Sequence, residues 1–267
     1  MTETAQTTLL YIDPAWQQRL ADSGLDNFDA LWDLDLTAVD EGNTGRGQAG
    51  WSRVSIHTLH ADPQPPTRIV IKRQSNYFSR TWQHPVRGIL TFVKELANIR
   101  LYQQKQVPAM TAVYCATRKS GREQQAILVT SFLEDYQSLE SLLAQWQDTM
   151  PTRQERSRTI QAVAQLVAHL HNAGLEHRCL FPKHIFLNTR TTPPQACLID
   201  LEKTRLVPWR RDRRERDLTA LVRRWPRLRP RDAVLFLRAY SGKERLGTDG
   251  KALWQRVVRR IRNKQAE

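Results

Sequence analysis

The sequence predicts an α+β protein of two lobes, a small β-rich N-terminal lobe and a larger, mainly helical C-terminal lobe. Strand patterns and one helical pattern occupy the chain from residue 51 to residue 133, whereas helical patterns dominate after it. In addition, 267 residues with 40% hydrophobic content are enough for two compact units. We therefore predict an N-terminal helical extension over residues 1–40, a first lobe over residues 41–133 and a second over residues 134–267.

The first elements follow from local patterns. One or two short helices within residues 1–40 are predicted by apolar residues at helical spacing, namely Trp16, Leu20, Leu25, Phe28, Leu31 and Trp32. Glu41 to Gly50 contains four glycines and is predicted to turn, and Trp51 to Leu59 alternates as a strand does. Asp62 to Thr67, with three prolines, is predicted to be a loop. Arg68 to Arg73 is typical of a buried strand because it is rich in β-branched residues.

The rest of the first lobe contains one helix and a hairpin. Leu90 to Gln104 has the apolar spacing of an amphipathic helix. Ala112 to Ala116 and Ala126 to Phe132 are strand-like runs, joined through a turn at Ser120 and Gly121. These elements complete a lobe of strands with a single helix.

The second lobe is mostly helical. Leu139 to Trp146 begins a helix, and Thr159 to Ala173 has the clearest helical stripe of the chain, which Gly174 ends. A strand through Ile199, an arginine-rich segment and further helices follow. We expect the loop between that helix and that strand to carry the functional residues.

Charge and cysteine content limit the function classes. The net charge of +14, with a sequence pI near 10.3, predicts anionic partners such as phosphorylated ligands, acidic lipids or nucleic acid. Twelve of the basic residues lie between Lys203 and Arg231, against three acids. Nucleic acid is disfavoured because no recognition motif accompanies this charge. Three unpatterned cysteines favour a reducing cytoplasm, and no apolar run is long enough to span a membrane.

The segment from His177 to His184 has the spacing of a protein-kinase catalytic loop. That signature, H-R-D-L-x-x-x-N, contains an aspartate that accepts the substrate's proton and an asparagine that binds a metal ion. Cys179 stands at the aspartate position and His184 at the asparagine position. The spacing therefore predicts a phosphotransferase loop, while the missing carboxylate brings its activity into question.

Three further residues follow the order of a kinase site. Lys72 ends the strand-like run Ile69-Val70-Ile71, as the lysine that binds nucleotide phosphates does, and Glu95 on the next helix is its candidate partner. The alternative for Lys72 is an ordinary surface lysine. Asp200 follows the apolar run that ends at Ile199, where it either binds a metal ion or caps the next turn.

Two weaker features accompany these residues. Gly45 and Gly47 could bring backbone N–H groups to phosphates, although a plain hairpin turn explains them equally well. Asp217 either caps the start of a helix or braces the backbone of the catalytic loop. The sequence alone does not decide between the two interpretations of the glycines or between the two interpretations of Asp217.

These motifs resemble the InaA-like branch of the lipopolysaccharide kinase (Kdo/WaaP) family, within the protein-kinase-like superfamily. The motifs that carry the resemblance are Val70 to Arg73, Val93 to Leu96, Cys179 to Leu187, Leu198 to Arg205 and Asp217-Leu218. The likeness covers roughly residues 42–240. The resemblance implies a bilobal protein-kinase-like fold, ATP and Mg²⁺ as cofactors, and phosphorylation of a lipopolysaccharide inner-core sugar in a Gram-negative cytoplasm.

The resemblance also implies roles for individual residues. Lys72 would bind the phosphates of ATP with Glu95 as its partner, and Asp200 and His184 would bind the metal ion; Gly45 and Gly47 stay candidates for ATP binding on the strength of their turn alone. Cys179, Asp200 and Lys183 are the candidate catalytic residues. An anionic glycolipid or sugar would be the substrate, and basic residues would contact acidic lipids at the inner membrane.

Cys179 leaves two classes of function open. An active sugar kinase is one, since a positioned base contributes about 10²–10⁴-fold and its loss slows catalysis without abolishing it. The other is a pseudokinase, a nucleotide-binding or stress-responsive scaffold without turnover. The thiol itself either has a lowered pKa beside His177, Arg178 and Lys183 and accepts the proton, or it is a small buried side chain that fills space.

Overall fold

The α+β class predicted from the sequence is confirmed. The computed structural model describes residues 5–40, 50–61, 64–80, 84–207, 214–226 and 228–264. The chain divides into two compact units, one of Met1–Leu101 with Met110–Glu134 and the other of Tyr102–Ala109 with Asp135–Glu267. Residues 1–40 belong to the first unit, and the predicted turn with Gly45 and Gly47 lies outside the described residues.

The first unit is built on a six-stranded antiparallel sheet in the order β1-β7-β8-β4-β3-β2. Its strands are β1 (Gln6–Ile12), β2 (Ala38–Asp40), β3 (Trp51–Ala61), β4 (Gln64–Ser75), β7 (Ala112–Ser120) and β8 (Glu123–Ser131). A short ribbon of β5 (Phe78–Ser79) and β6 (Ile89–Leu90) precedes the long helix. The helices are α1 (Pro14–Asp22), α2 (Phe28–Asp33) and α3 (Thr91–Gln104).

The N-terminal extension contains two strands, β1 and β2, as well as the predicted helices. Asp13 and Asn27 cap α1 and α2, whose apolar side chains pack with Ile69, Ile71 and Val129 of the sheet. Strand β1 was not predicted, because its side chains are mainly exposed and therefore show no apolar alternation. It joins the sheet through backbone hydrogen bonds to β7, which depend little on side-chain identity.

Strand β4 begins inside the segment predicted to be a proline loop. Pro65 and Pro66 belong to the strand, although each lacks the N–H that a sheet normally uses. They are tolerated because β8 pairs with β4 only from Ile69 onwards, so the prolines lie where the strand has one neighbour. The remainder of β4 lies between β3 and β8 and carries Lys72 in the middle of the sheet.

The second unit is mainly helical. Its strands are β9 (Gln137–Ser138), β10 (Leu175–Glu176), β11 (Ile185–Asn188), β12 (Gln195–Leu198) and β13 (Arg205–Leu206). Its helices are α4 (Leu139–Asp148), α5 (Arg153–Asn172), α6 (Arg214–Arg223), α7 (Pro230–Ser241) and α8 (Thr248–Asn263). Strands β12, β11 and β9 form one small sheet, and β10 pairs with β13. The segment with kinase-loop spacing connects β10 to β11.

Helix α5 fixes the start of that loop. It begins at Arg153, six residues before the predicted start at Thr159, because Thr152 and Glu155 form a reciprocal capping box. Its buried apolar face and Gly174, which has a positive φ of 76° as predicted for a helix stop, deliver the chain into β10. Within the described ranges, no helix combines the length and apolar content needed to cross a bilayer.

Candidate functional site

Lys72 and Glu95 form a buried ion pair in the first unit. The distance between Lys72 Nζ and Glu95 Oε1 is 2.7 Å, and the side chains are 12% and 2% exposed. Lys72 faces Val54 of β3 and Leu128 of β8 in the sheet register. The alternative of a surface lysine is therefore wrong. The backbone of Lys72 is paired with a strand on each side, and its ammonium is held by a carboxylate from α3.

Asp217 holds the backbone of the loop. Its side chain is fully buried and accepts hydrogen bonds from the backbone N–H of His177 at 2.7 Å and of Arg178 at 2.8 Å. Arg178 has a positive φ of 67°, a conformation that is uncommon for a residue with a Cβ atom and that these bonds stabilise. Of the two alternatives for Asp217, the structure thus supports bracing of the loop.

A buried histidine and tyrosine extend this anchor. His171 Nε2 lies 3.3 Å from the Asp217 carboxylate, and the hydroxyl of Tyr240 lies 2.8 Å from His171 Nδ1. Burial by itself raises the pKa of Asp217, but the hydrogen bonds and charge of His171 and His177 outweigh it and hold this pKa below its usual range. The carboxylate therefore stays ionised while it accepts the two backbone N–H groups.

His184 connects the loop to Asp200. Its Nδ1 lies 2.8 Å from the backbone carbonyl of Cys179, and its Nε2 lies 3.1 Å from Asp200 Oδ2. Since the carbonyl only accepts, Nδ1 must carry the hydrogen, and the neutral ring then presents the lone pair of Nε2 to the carboxylate. Burial lowers the pKa of His184, and the charge of Asp200 opposes that shift without cancelling it.

Asp200 does not act as a turn cap. Within the described chain, its side chain makes no capping hydrogen bond to the 3-10 turn that follows it, Leu201–Lys203. Its backbone is left-handed (φ 59°, ψ 61°), a conformation that aspartate tolerates better than most residues, and its side chain is 33% exposed. The carboxylate is consequently available to a ligand from solvent as well as to His184.

Cys179 is buried and protonated. The residue is 8% exposed, and burial raises the pKa of the thiol, although the nearby ammonium of Lys203 acts in the other direction. Of the two alternatives for this thiol, the small buried side chain is therefore supported, and the lowered pKa is not. All three cysteines, Cys115, Cys179 and Cys197, are free and buried, and burial raises the pKa of Cys115 and Cys197 to about 12.

Lys183 and two cations that the sequence did not single out lie in the same unit. Lys183 is exposed on the 3-10 turn Pro182–His184, where its charge acts on His184. The ammonium of Lys203 lies near the thiol of Cys179 and acts on its pKa. The guanidinium of Arg224 lies 3.9 Å from the ring centroid of Phe181, a residue of the loop. Lys203 and Arg224 were missed because single basic residues in a basic segment give no distinctive pattern.

The donors present fit a divalent cation that is only partly held by protein. His184 and Asp200 supply one imidazole nitrogen and one carboxylate, and no group of three or more His, Cys, Asp or Glu side chains suited to a metal ion occurs within the described residues. Mg²⁺ in phosphoryl-transfer sites is typically held by one or two protein carboxylates together with substrate phosphates and water. The two protein donors here match such a site in number, although one of them is an imidazole nitrogen.

Comparison with known proteins gives consistent matches. A sequence model described as "Lipopolysaccharide kinase (Kdo/WaaP) family" matches residues 29–240. Protein InaA of Escherichia coli K12 is 26% identical over 180 residues, which span 67% of this chain and 79% of InaA. Lipopolysaccharide core heptose(I) kinase WaaP of Pseudomonas aeruginosa is 31% identical over 156 residues, 55% of this chain and 58% of WaaP.

A solved structure shares the fold. The structure of WaaP in complex with acyl carrier protein superposes with a TM-score of 0.67 at 24% identity, covering 96% of this chain and 98% of that one. This likeness confirms the predicted kinase-like architecture of a β-rich N-terminal part and a helical C-terminal part.

Proposed function

Because the chain belongs to the lipopolysaccharide kinase (Kdo/WaaP) family, we propose that it transfers phosphate from ATP to a sugar hydroxyl of the lipopolysaccharide inner core. The observation that carries the proposal is the buried pair of Lys72 and Glu95, with 2.7 Å between their charged atoms. A buried ion pair does not by itself favour folding over a well-packed apolar pair. The presence of this ion pair is explained if the ammonium of Lys72 has a ligand to bind, and we propose that nucleotide phosphates are that ligand.

Each residue then has a role in phosphoryl transfer. Lys72 binds phosphates of ATP, and Glu95 fixes the position of its ammonium. His184 and Asp200 hold the divalent cation, which neutralises negative charge on the phosphates when it is bound. Asp217 keeps the loop backbone in place through the N–H groups of His177 and Arg178.

Loss of the aspartate at position 179 slows this reaction. A bond forms between the acceptor oxygen and the γ-phosphorus, the bond from that phosphorus to the bridging oxygen of ADP breaks, and the acceptor's proton must leave. The protonated thiol of Cys179 cannot take that proton, so solvent or the transferred phosphoryl group receives it. The transition state is largely dissociative, and the electrostatic contribution of Lys72 and Asp200 therefore remains.

The acceptor is proposed to be anionic. Arg224, stacked on Phe181, has no ion pair among the residues that the structure describes and can bind a phosphate or carboxylate of the acceptor. The basic segment between Lys203 and Arg231 suits acidic lipid head groups, with each cation near such a surface contributing about 1 kcal/mol. We place the protein in the cytoplasm, at the inner face of the inner membrane.

The competing proposal is a pseudokinase that binds nucleotide without turnover. The protonated, buried state of Cys179 favours it, because the loop then has no general base at the usual position. The anchoring of the loop by Asp217 is compatible with either function. The two proposals therefore differ in whether the chain transfers phosphate, and both expect it to bind ATP.

Phosphate transfer from γ-³²P-ATP to purified core oligosaccharide tests the first proposal. The control variant is Asp200→Asn, which removes the charge while keeping a residue that accepts the left-handed backbone. Transfer by the natural chain above this control supports the kinase. Equal incorporation by both, together with a rise in melting temperature on adding Mg²⁺-ATP, supports the pseudokinase.

A further inference from the structure

One of the two donors at the cation site is a nitrogen. His184 stands where the kinase loop normally has asparagine, whose side-chain donor is an oxygen. Its Nε2 lies 3.1 Å from Asp200 Oδ2. Neighbouring ligands of an octahedral ion bound at about 2.1 Å are about 3 Å apart, so these two atoms already have the spacing of ligands to one ion.

The imidazole is also fixed in the orientation of a metal ligand. Nδ1 donates to the carbonyl oxygen of Cys179 at 2.8 Å, which is the outer contact that metal-binding histidines usually make. Two aromatic rings lie near the imidazole, that of Phe181 at 5.5 Å and that of His177 at 6.0 Å between centroids, the latter with 24° between the ring planes. Only 8% of the residue is exposed, so burial and the hydrogen bond of Nδ1 together oppose rotation of the ring away from Asp200.

Resting on the proposed function, we infer that this site binds Mn²⁺ in preference to Mg²⁺. Mg²⁺ prefers oxygen ligands and gives up its water reluctantly. Mn²⁺ also takes carboxylate and phosphate oxygens, but as a transition-metal ion it has a greater affinity for imidazole. A site that presents one carboxylate and one locked imidazole therefore selects Mn²⁺, whereas a carboxylate with an amide oxygen would serve Mg²⁺.

The direct test is magnetic resonance on the full chain labelled with ¹⁵N-histidine and loaded with Mn²⁺ and ADP. Electron–nuclear double resonance is expected to show a ¹⁵N coupling, which cannot come from the unlabelled nucleotide. The coupling should vanish in His184→Asn and persist in His169→Asn, a change at an exposed histidine of α5. Absence of the coupling from the natural chain would overturn the inference without recourse to any variant.

Competition measures the preference. Mg²⁺ is titrated against bound Mn²⁺, followed by the signal of released Mn²⁺, and the ratio of Mn²⁺ to Mg²⁺ affinity should be greater for the natural chain than for His184→Asn, which lacks the nitrogen donor. An unchanged ratio in that variant would also overturn the inference. The Asp200→Asn variant, which keeps His184, should bind Mn²⁺ more weakly; undiminished binding would place the ion elsewhere and again overturn it.

The outcomes separate this inference from the proposed function. A ¹⁵N coupling and Mn²⁺ preference without phosphate transfer under either metal ion would leave the inference standing and refute the kinase. Transfer that is supported equally by both metal ions, without a coupling, would leave the kinase standing and refute the inference.

Discussion

The ammonium of Lys203 lies near the thiol of Cys179, at the position where a kinase loop has its aspartate, and its charge acts to lower the pKa of that thiol. The two residues are separated by the 3-10 turn, β12, β11 and the loop itself. A cation thus faces the position from which the carboxylate is missing.

Cys179→Asp should restore a general base. The new carboxylate would pair with Lys203, and if the chain is a kinase, phosphate transfer should accelerate by about 10²–10⁴-fold. Initial rates with ATP and core oligosaccharide measure the effect. Cys179→Asn is the matched control, because it has the same shape without the charge. Equal rates for the two variants would show that position 179 does not act as a base, as a pseudokinase requires.

Lys72→Met should destabilise the first unit as well as weaken ATP binding. It leaves Glu95, which is 2% exposed, without its ammonium partner, and loss of one member of a buried pair costs about 3–5 kcal/mol. Urea denaturation of the natural chain and the variant gives the difference. The double variant Lys72→Met/Glu95→Gln should recover part of it. Lys119→Met, at an exposed lysine of β7, is the control. The prediction would be contradicted if Lys72→Met lowered the free energy of unfolding no more than this control does.

Asp217→Asn should destabilise the second unit in a pH-dependent way. An amide has one acceptor atom where the carboxylate has two, so one of the N–H groups of His177 and Arg178 loses its partner, at a cost of about 1.5–3 kcal/mol. The folded pKa of Asp217 is lowered, so the unfolded chain takes up the proton first on acidification. Its stabilisation is therefore complete above the ordinary carboxyl pKa, near 3.9, and is lost as pH falls through the lower folded value.

Denaturation at pH 7 and at successively lower pH checks this sign. The difference in free energy of unfolding between the natural chain and Asp217→Asn should be largest at pH 7 and should shrink in acid. Asp249→Asn, at an exposed aspartate of α8, should show no comparable difference at any pH. A difference in free energy of unfolding that grows as pH falls would contradict a lowered pKa of Asp217 in the folded chain.

Arg224→Ala should weaken acceptor binding and leave ATP binding unchanged. Loss of one charged hydrogen bond to an anionic group corresponds to an increase in the acceptor's KM of about tenfold. Steady-state kinetics with varied core oligosaccharide at saturating ATP measure it. Arg223→Ala, at the exposed neighbouring residue, is the control. If both variants raise KM equally, the effect belongs to general charge and not to the arginine stacked on Phe181.

The sequence identified the fold and several candidate site residues because these follow one another in a fixed order. Lys72, Glu95, His184 and Asp200 each follow a strand, helix or loop pattern that can be recognised locally. Lys203 lies near Cys179, and Arg224 lies over the ring of Phe181, but each pair joins residues of separate segments. No local sequence pattern predicts such pairs. Burial likewise decided the thiol's pKa, which depends on the packing around it and not on its neighbours in sequence.

Element boundaries failed where side chains carry little information. Strand β1 is not predicted because its mainly exposed residues show no apolar alternation. The predicted start of α5 lies six residues late because its first turns are polar and only the capping box marks where the helix begins. The prolines of β4 suggested a loop although they occupy a stretch of strand with a single neighbour. In each case backbone hydrogen bonding, which sequence patterns report poorly, determined the structure.

Because Asp217 anchors the loop, the shape of its backbone and the side chain at its catalytic position depend on different residues. The carboxylate of Asp217 holds the chain at His177 and Arg178, whereas residue 179 takes no part in those bonds. Position 179 can therefore change identity while the loop keeps its shape. A base can therefore be absent from position 179, or be introduced there, while the backbone that Asp217 holds stays the same.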